Sequence, residues 1–381
     1  MSTIRFGIIG YGNMGRHHAA YLNKGEVKNA TVTAICDEKT GKTVNLPGVE
    51  GFDSLEAFWT SGKFDAVIIA TPHPSHVALG CEALRRGFHA VVEKPIGVHK
   101  NDAQKLIDAH TDKKLVLAAM FNQRPDPRYR KVRDLITSGE LGELRRVVWI
   151  LTNWFRAEAY YASGGWRATW KGEGGGVLLN QSPHQLDLLQ WMCGMPARVR
   201  AFCHLGKYHN IEVEDDVTAY LEYPNGATGV FITTTGEAPG TNRLEITGDR
   251  GKLVVENNKI TFWRTRTSVA EFSKAAKGGF DAPEVWEIAV PCEGESGQHK
   301  TILQNVVNAI LDGEALIAPG SDGIHSIELA NAMLYSSWTG ATVELPLDGD
   351  AYEAALNDRI ANSTFVKTVR EVVQTDMSKT F

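Results

Sequence analysis

The sequence predicts an α/β amino-terminal domain on a doubly wound parallel sheet, followed by an α+β domain with a mainly antiparallel open sheet. Three observations predict this. Short β-branched runs alternate with helical stretches over residues 4–121. Beyond Pro125 the runs come in adjacent pairs joined by turn residues. The chain of 381 residues is too long for one ordinary domain and suits two, each with a core of its own.

In the first domain, residues 1–124, the strand candidates are Ile4 to Ile9, Thr31 to Cys36, Ala66 to Ala70, Ala90 to Val92 and Leu115 to Ala119. Between them, Ser75 to Arg86 and Asp102 to His110 carry apolar residues at helical spacing, and they end in Gly87 and the polar turn Thr111 to Lys114. The second domain, residues 125–381, begins with Pro125 and Pro127 and a helix from about Arg128 to Ile136, stopped by Ser138 and Gly139. Pro224, Asn225 and Gly226 then join two strand patterns, and Asn257 and Asn258 join two more, both as hairpin turns. Helical patterns return at Gln298 to Leu311 and Gly323 to Ser337, predicting helices over one face of the sheet.

A net charge of -5 argues against a general attraction to nucleic acid or anionic lipid, so neither is expected as a partner. No stretch is long and apolar enough to span a bilayer, and Met1 to Ile9 leads straight into a strand pattern without a signal peptide's apolar core. The reading is a cytoplasmic protein. Its five cysteines lie far apart with no C-x-x-C pair, and neither His17 with His18 nor His73 with His76 has a Cys or carboxylate at ligand spacing. Reduced thiols and no metal are expected.

Chemistry first enters at Gly10-Tyr11-Gly12-Asn13-Met14-Gly15, which follows an apolar strand and opens a helix. Gly10 permits the tight turn, Gly12 lets backbone approach a pyrophosphate, and Gly15 allows close helix-to-strand packing. Asp37 closes the next strand, where it can accept hydrogen bonds from an adenosine ribose and repel a 2′-phosphate. Only Glu38 and Lys39 follow, so NAD is favoured over NADP. Glu93-Lys94-Pro95 ends another strand at the carboxyl edge of the sheet, where open α/β folds bind ligands. A lysine ammonium there can stabilise a developing alkoxide.

With Ala70-Thr71-Pro72 and His76, Asn122-Gln123-Arg124, and Gly174-Gly175-Gly176 followed by Asn180, His184 and Asp187, these motifs make the sequence similar to the glucose-fructose oxidoreductase and inositol dehydrogenase (Gfo/Idh/MocA) family over most of its length. The resemblance implies a Rossmann domain, bound NAD(P), and a second domain whose open sheet joins subunits into homodimers or homotetramers. It also implies hydride transfer between a nicotinamide and a ring hydroxyl of a sugar, glycoside or cyclitol. It adds Tyr11, Asn13, Met14, Thr71, Pro72, His76, Glu93, Lys94 and Gln123 to the cofactor contacts, with Lys94, Asn180 and His184 as the catalytic set. Family enzymes commonly carry an acid where this chain has Asn180, and asparagine cannot take a proton, so more of that work falls on His184.

The residues support His184 on their own account. Ser182 as N-cap, Pro183 at the first helical position and Gln185 three after the cap start a helix that Gly194 stops. His184 falls in its first turn, where the helix dipole and Lys94 both disfavour imidazolium. Asp187, three residues on, is placed to orient its ring. From Trp154 to Trp170 six of seventeen residues are aromatic against 9% in the whole chain, in a glycine-broken segment read as a loop. Tyr160, Trp166 and Arg167 there are expected to bind substrate, with Asn180, His184 and Asp187.

Two other functions remain open at this point. Some relatives recycle NAD to cleave glycosides by oxidation, elimination, hydration and reduction, and a non-catalytic dinucleotide sensor would keep the fold while losing Lys94 or His184. Both residues are present.

Overall fold

A computed structural model describes residues 2–39 and 44–370. Six parallel strands, β1 (Ile4–Ile9), β2 (Ala30–Cys36), β3 (Glu50–Phe52), β4 (Ala66–Ile69), β5 (His89–Val92) and β6 (Leu117–Ala119), lie in the order β3-β2-β1-β4-β5-β6. Their continuous apolar runs are what burial on both faces demands: Ala66, Val67, Ile68 and Ile69 of β4 are all fully buried. The order reverses between β1 and β4. Gly10, Thr71 and Lys94 follow their strands at the carboxyl ends there, the edge at which open α/β sheets bind ligands.

The second sheet has nine strands: β7 (Leu144–Leu151), β8 (Arg198–Leu205), β9 (Glu214–Glu222), β10 (Thr228–Thr234), β11 (Asn242–Gly248), β12 (Gly251–Glu256), β13 (Lys259–Thr265), β14 (Val285–Val290) and β15 (Val343–Glu344), in the order β14-β13-β12-β11-β7-β10-β9-β8-β15. All its pairs are antiparallel except β7 with β10. Asn257 and Asn258 turn β12 into β13 with φ of 50° and 60°, the left-handed backbone that a two-residue hairpin requires. Helices Pro183–Cys193 and Gly323–Thr339 cover one face over a core that includes Trp149, Phe231 and Leu221. The other face presents Val148, Ile150, Val230, Ile232, Tyr220 and Phe202 on neighbouring strands, the last two 42% and 55% exposed.

Helix Gln298–Asp312 belongs by sequence to the second half but packs on the first core through Ile302, Leu303, Val306 and Val307. Each such side chain contributes roughly 1.5–3 kcal/mol relative to exposure. Arg124 ties the halves together, its side chain 1% exposed. Its Nε and Nη2 donate to Asp187 at 2.8 and 2.7 Å, and its Nη1 donates to Asp322 at 2.7 Å and to the Ile317 carbonyl at 3.0 Å. Breaking such a pair strands a buried charge, whereas replacing both partners by apolar residues of similar volume does not. Asp187→Ala is therefore expected to lower unfolding free energy by about 3 kcal/mol. The double variant Arg124→Met with Asp187→Leu should lose clearly less, with urea midpoints followed by circular dichroism as the measure.

Candidate active site

The glycine loop leaves β1 at Gly10, whose φ of +91° and contact with the Ala70 carbonyl exclude a side chain. A Cβ on Gly15 would lie 1.9 Å from the Gly10 carbonyl oxygen, so the helix Asn13–Asn23 can start this close only with glycine there. Tyr11 donates its backbone N–H to Asp37 Oδ2 at 2.8 Å, which draws the Asp37 carboxylate over the loop. Gly12 is open, nothing lying within 4 Å of where its Cβ would stand. The helix start, with Asn13 and Met14 in its first turn, has neither a capping side chain nor an acid. An open glycine beside an uncapped, positive helix end fits the pyrophosphate of a dinucleotide, and Asp37 fits its ribose.

The other expected cofactor residues are more committed. Thr71 Oγ1 accepts from Ser75 Oγ at 2.7 Å, and Pro72 leads into a short 3-10 turn. His76 is buried with both ring nitrogens 2.7 Å from carbonyls, those of Pro95 and Thr71, so it braces the two loops against each other. Glu93 is likewise buried, bonded to His18 at 2.7 Å and to the Lys94 backbone N–H at 3.2 Å. Gln123 accepts from Gln185 at 2.7 Å.

Lys94, at the end of β5, donates from Nζ to the Asn180 carbonyl at 2.8 Å, bridging the two domains. Burial pulls its pKa down from the ordinary lysine range. Glu93 and Glu173 oppose the shift, and Arg167 and Arg156 reinforce it. His184 lies in the first turn of its helix, 5% exposed, beside Phe121. Desolvation, then the Lys94 charge, hold it well below its usual pKa, and its Nδ1 is buried without a hydrogen-bond partner. Both effects favour the unprotonated ring.

Two local expectations fail. Ser182 does not cap the helix through its side chain, because its Oγ pairs with Thr233 Oγ1 at 2.9 Å, and Gln185 reaches Gln123 instead of closing a capping box. Asp187 does not bond the His184 ring, because Arg124 takes both its oxygens in a fully buried pair.

The sequence reading missed Glu173, the only acid between Glu158 and Asp187 and the residue directly before the glycine run. It is 1% exposed. Its carboxylate accepts from Asn180 Nδ2 and the Ala168 N–H and lies 3.6 Å from Arg167 Nη1. Burial raises its pKa, with Arg167 opposing. Asn180 Oδ1 in turn accepts from Tyr160 OH at 3.0 Å, and Arg167 donates to that hydroxyl at 2.7 Å. Trp166 stacks under Arg167, 4.5 Å away, and edges toward His73. Asn180, Tyr160, Trp166 and Arg167 thus form one cluster next to Lys94. The segment read as a loop holds two short helices, Glu158–Ala162 and Trp170–Glu173. A cavity of about 1030 Å³ lined by Trp170, Trp338 and Arg359 touches neither Lys94 nor His184 and so is apart from this chemistry.

Residues 4–121 match the family model described as an oxidoreductase family with an NAD-binding Rossmann fold, and residues 129–254 match the GFO/IDH/MocA C-terminal domain. The chain is 23% identical to inositol 2-dehydrogenase of Rhizobium meliloti (strain 1021) over 347 residues, 88% of this chain and 97% of that one. It is also 23% identical to the NADP(+)-dependent scyllo-inositol 2-dehydrogenase of Bacillus subtilis (strain 168), covering 91% of this chain and 97% of that one. Among solved structures, the WlbA dehydrogenase of Bordetella pertussis in complex with NADH and UDP-GlcNAcA superposes with a TM-score of 0.75 at 26% identity, over 91% of this chain and all of that one.

Behind the glycine run, Glu214 accepts from the N–H groups of Gly176 and Leu178 at 2.8 and 3.0 Å, while its other oxygen is buried without a partner. Burial raises its pKa from 4.5 to about 7. A carboxyl raised in the folded state binds more protons folded than unfolded, so stability falls as pH climbs from 4.5 to about 7, by up to about 3 kcal/mol from this group. Glu214→Gln cannot titrate. Its stability, measured by urea unfolding at several pH values, should fall visibly less than that of the wild type across this window.

Proposed function

Because the chain belongs to the Gfo/Idh/MocA family of oxidoreductases, we propose that it is an NAD-dependent dehydrogenase acting on a ring hydroxyl of a sugar, glycoside or cyclitol. The observation that carries this reading is that Lys94, at the carboxyl edge of a sheet whose first loop suits a dinucleotide, donates to the Asn180 carbonyl just before the helix that buries His184 in its first turn. A bound nicotinamide would supply the hydride acceptor. The chain's part is electrostatic and protic. His184 takes the hydroxyl proton, which its unprotonated ring can do across the neutral range. Lys94, held by the Asn180 carbonyl, donates to the same oxygen and stabilises the alkoxide as it forms. Asn180 orients a neighbouring hydroxyl, and the rings of Tyr160 and Trp166 offer faces for sugar C–H groups.

The glycoside-cleaving alternative gains no support, because elimination needs an additional acid and base and the carboxylate of Glu173 is already occupied by Asn180 and Ala168. Asp37 favours NAD over NADP. The uncovered face of the second sheet, with Phe202 and Tyr220, suits a homodimer or homotetramer contact.

Cyclitols, monosaccharides and methyl glycosides screened with excess NAD should yield one reduced cofactor, read at about 340 nm, for each substrate oxidised. Glycoside cleavage sustained by trace NAD without that absorbance would overturn the reading. Lys94→Ala and His184→Ala should each lower kcat by about a hundredfold or more. The acid limb of kcat/KM should lie below the ordinary histidine range, because His184 gains its proton only there. In a titration followed by tryptophan fluorescence, NAD should bind at least about tenfold more tightly than NADP, a gap of ~1.4 kcal/mol.

A further inference from the structure

The aromatic loop turns more positive charge toward the reacting centre than its carboxylates occupy. Arg156 and Arg167 flank Tyr160, their guanidinium carbons 5.2 and 4.4 Å from its ring centroid. Both charges are felt by Lys94. Lys367 joins them from the C-terminal segment by donating to the Arg167 carbonyl. The nearby acids are engaged. Glu93 is bonded to His18, Glu158 to the Asn210 N–H, and Glu212 to the Trp170 N–H and Ser363, while Glu173 holds Asn180 and Ala168 with Arg167 at 3.6 Å.

Arg156 is the exception. It is half-buried, its Nη1 donates to the Phe155 carbonyl at 3.0 Å, and no carboxylate lies within ion-pair range of it among the described residues. Arg167 also keeps a buried Nε without a hydrogen-bond partner. A half-buried guanidinium without a counter-charge costs desolvation free energy that an anion with two acceptor oxygens would recover, because the planar fork of donors matches such a group. From Arg167 a hydrogen-bonded path of Tyr160 OH and Asn180 leads to Lys94.

We propose that the substrate is a sugar acid, whose carboxylate is taken by Arg156 and Arg167 while one of its ring hydroxyls meets Lys94 and His184. The planar fork of Arg156, without a carboxylate in ion-pair range among the described residues, matches the two oxygens of one carboxylate. The inference rests on the dehydrogenase reading for the reaction but not for the binding.

The test compares matched pairs: glucose with glucuronate, galactose with galacturonate, and the corresponding 6-phosphates, each oxidised with NAD by the wild type, Arg156→Gln and Arg156→Lys. At least one uronate should exceed its neutral partner in kcat/KM by about tenfold, the smallest gain expected of a charge-assisted hydrogen bond. Arg156→Gln should reduce that acid-to-neutral ratio by about tenfold, mainly through KM, and Arg156→Lys should restore part of it. A ratio unmoved by Arg156→Gln, or a preference for the neutral sugar or the phosphate, overturns the proposal while leaving the dehydrogenase reading intact. Should no compound be oxidised, the proposed reaction fails, and calorimetric titration of glucuronate and galacturonate into the NADH-loaded protein decides the binding. Heat that disappears in Arg156→Gln upholds the carboxylate site. No heat, or equal heat in both proteins, overturns it.

Discussion

The buried guanidinium of Arg124 is the interaction on which the placement of the site depends. It stands just past β6 and fills both oxygens of Asp187, one turn after His184, while reaching Asp322 and a carbonyl in the C-terminal part. A charge with 1% side-chain exposure must be fully met, so these three segments have little freedom to slide relative to one another. Lys94 reaches across the same junction to the Asn180 carbonyl. His184 and Lys94 come from different domains, and their mutual position is fixed by polar contacts under the cleft as well as by packing.

Burial lowers the pKa of both Lys94 and His184. The Lys94 charge adds to the shift at His184. Lys94 stays within reach of Glu93 and Glu173, which oppose the effect of its burial. Asn180 removes a carboxylate from the place where the family commonly has one, yet the carboxylate of Glu173 lies directly against the amide of Asn180. The negative charge is therefore set back by one side chain: it can orient the amide and bias Lys94 without standing in the substrate's way.

The parallel sheet, the glycine turn and the place of Lys94 at a strand end were legible because each follows from local pattern, whereas the three-residue strand Glu50–Phe52 was too short to leave one. Apolar runs, a glycine that must adopt positive φ and a strand end all leave marks within a few residues. The aromatic concentration around Tyr160 was visible for the same reason. Misreadings arose where tertiary contacts compete for a side chain whose spacing suggested a local role. Ser182 and Gln185 had the letters of a capping box, but Thr233 and Gln123 offered them better partners. Asp187 had helical spacing to His184, but a guanidinium 63 positions earlier in the chain claimed it. The hydrogen bonds of His76 and Glu93 also run to segments that the motif did not name. Glu173 left one faint signal, a lone acid at the start of a glycine run, and only its burial beside Asn180 gives that signal meaning.

These failures share a cause that bears on how such a site diversifies. Lys94 and His184 are anchored in elements whose cores and buried ions resist change, whereas the loop that carries Tyr160 is held at a few separable points. Glu173 grips it at Ala168 and near Arg167, Lys367 bonds the Arg167 carbonyl, and Arg370 donates its N–H to the Ala162 carbonyl at 3.0 Å. The C-terminal segment thus bears on the same few residues that carry the loop's charge. Among the described residues, the bonds of Arg124 and of the glycine turn do not involve Arg156, whereas Tyr160 and Arg167 share their bonds with Asn180 and the buried Glu173. The Rossmann fold is written into the strand ends and helix starts, which sequence pattern reveals. The side chains around Tyr160 have partners distant in the chain, and their arrangement becomes readable only once the fold has brought those partners together.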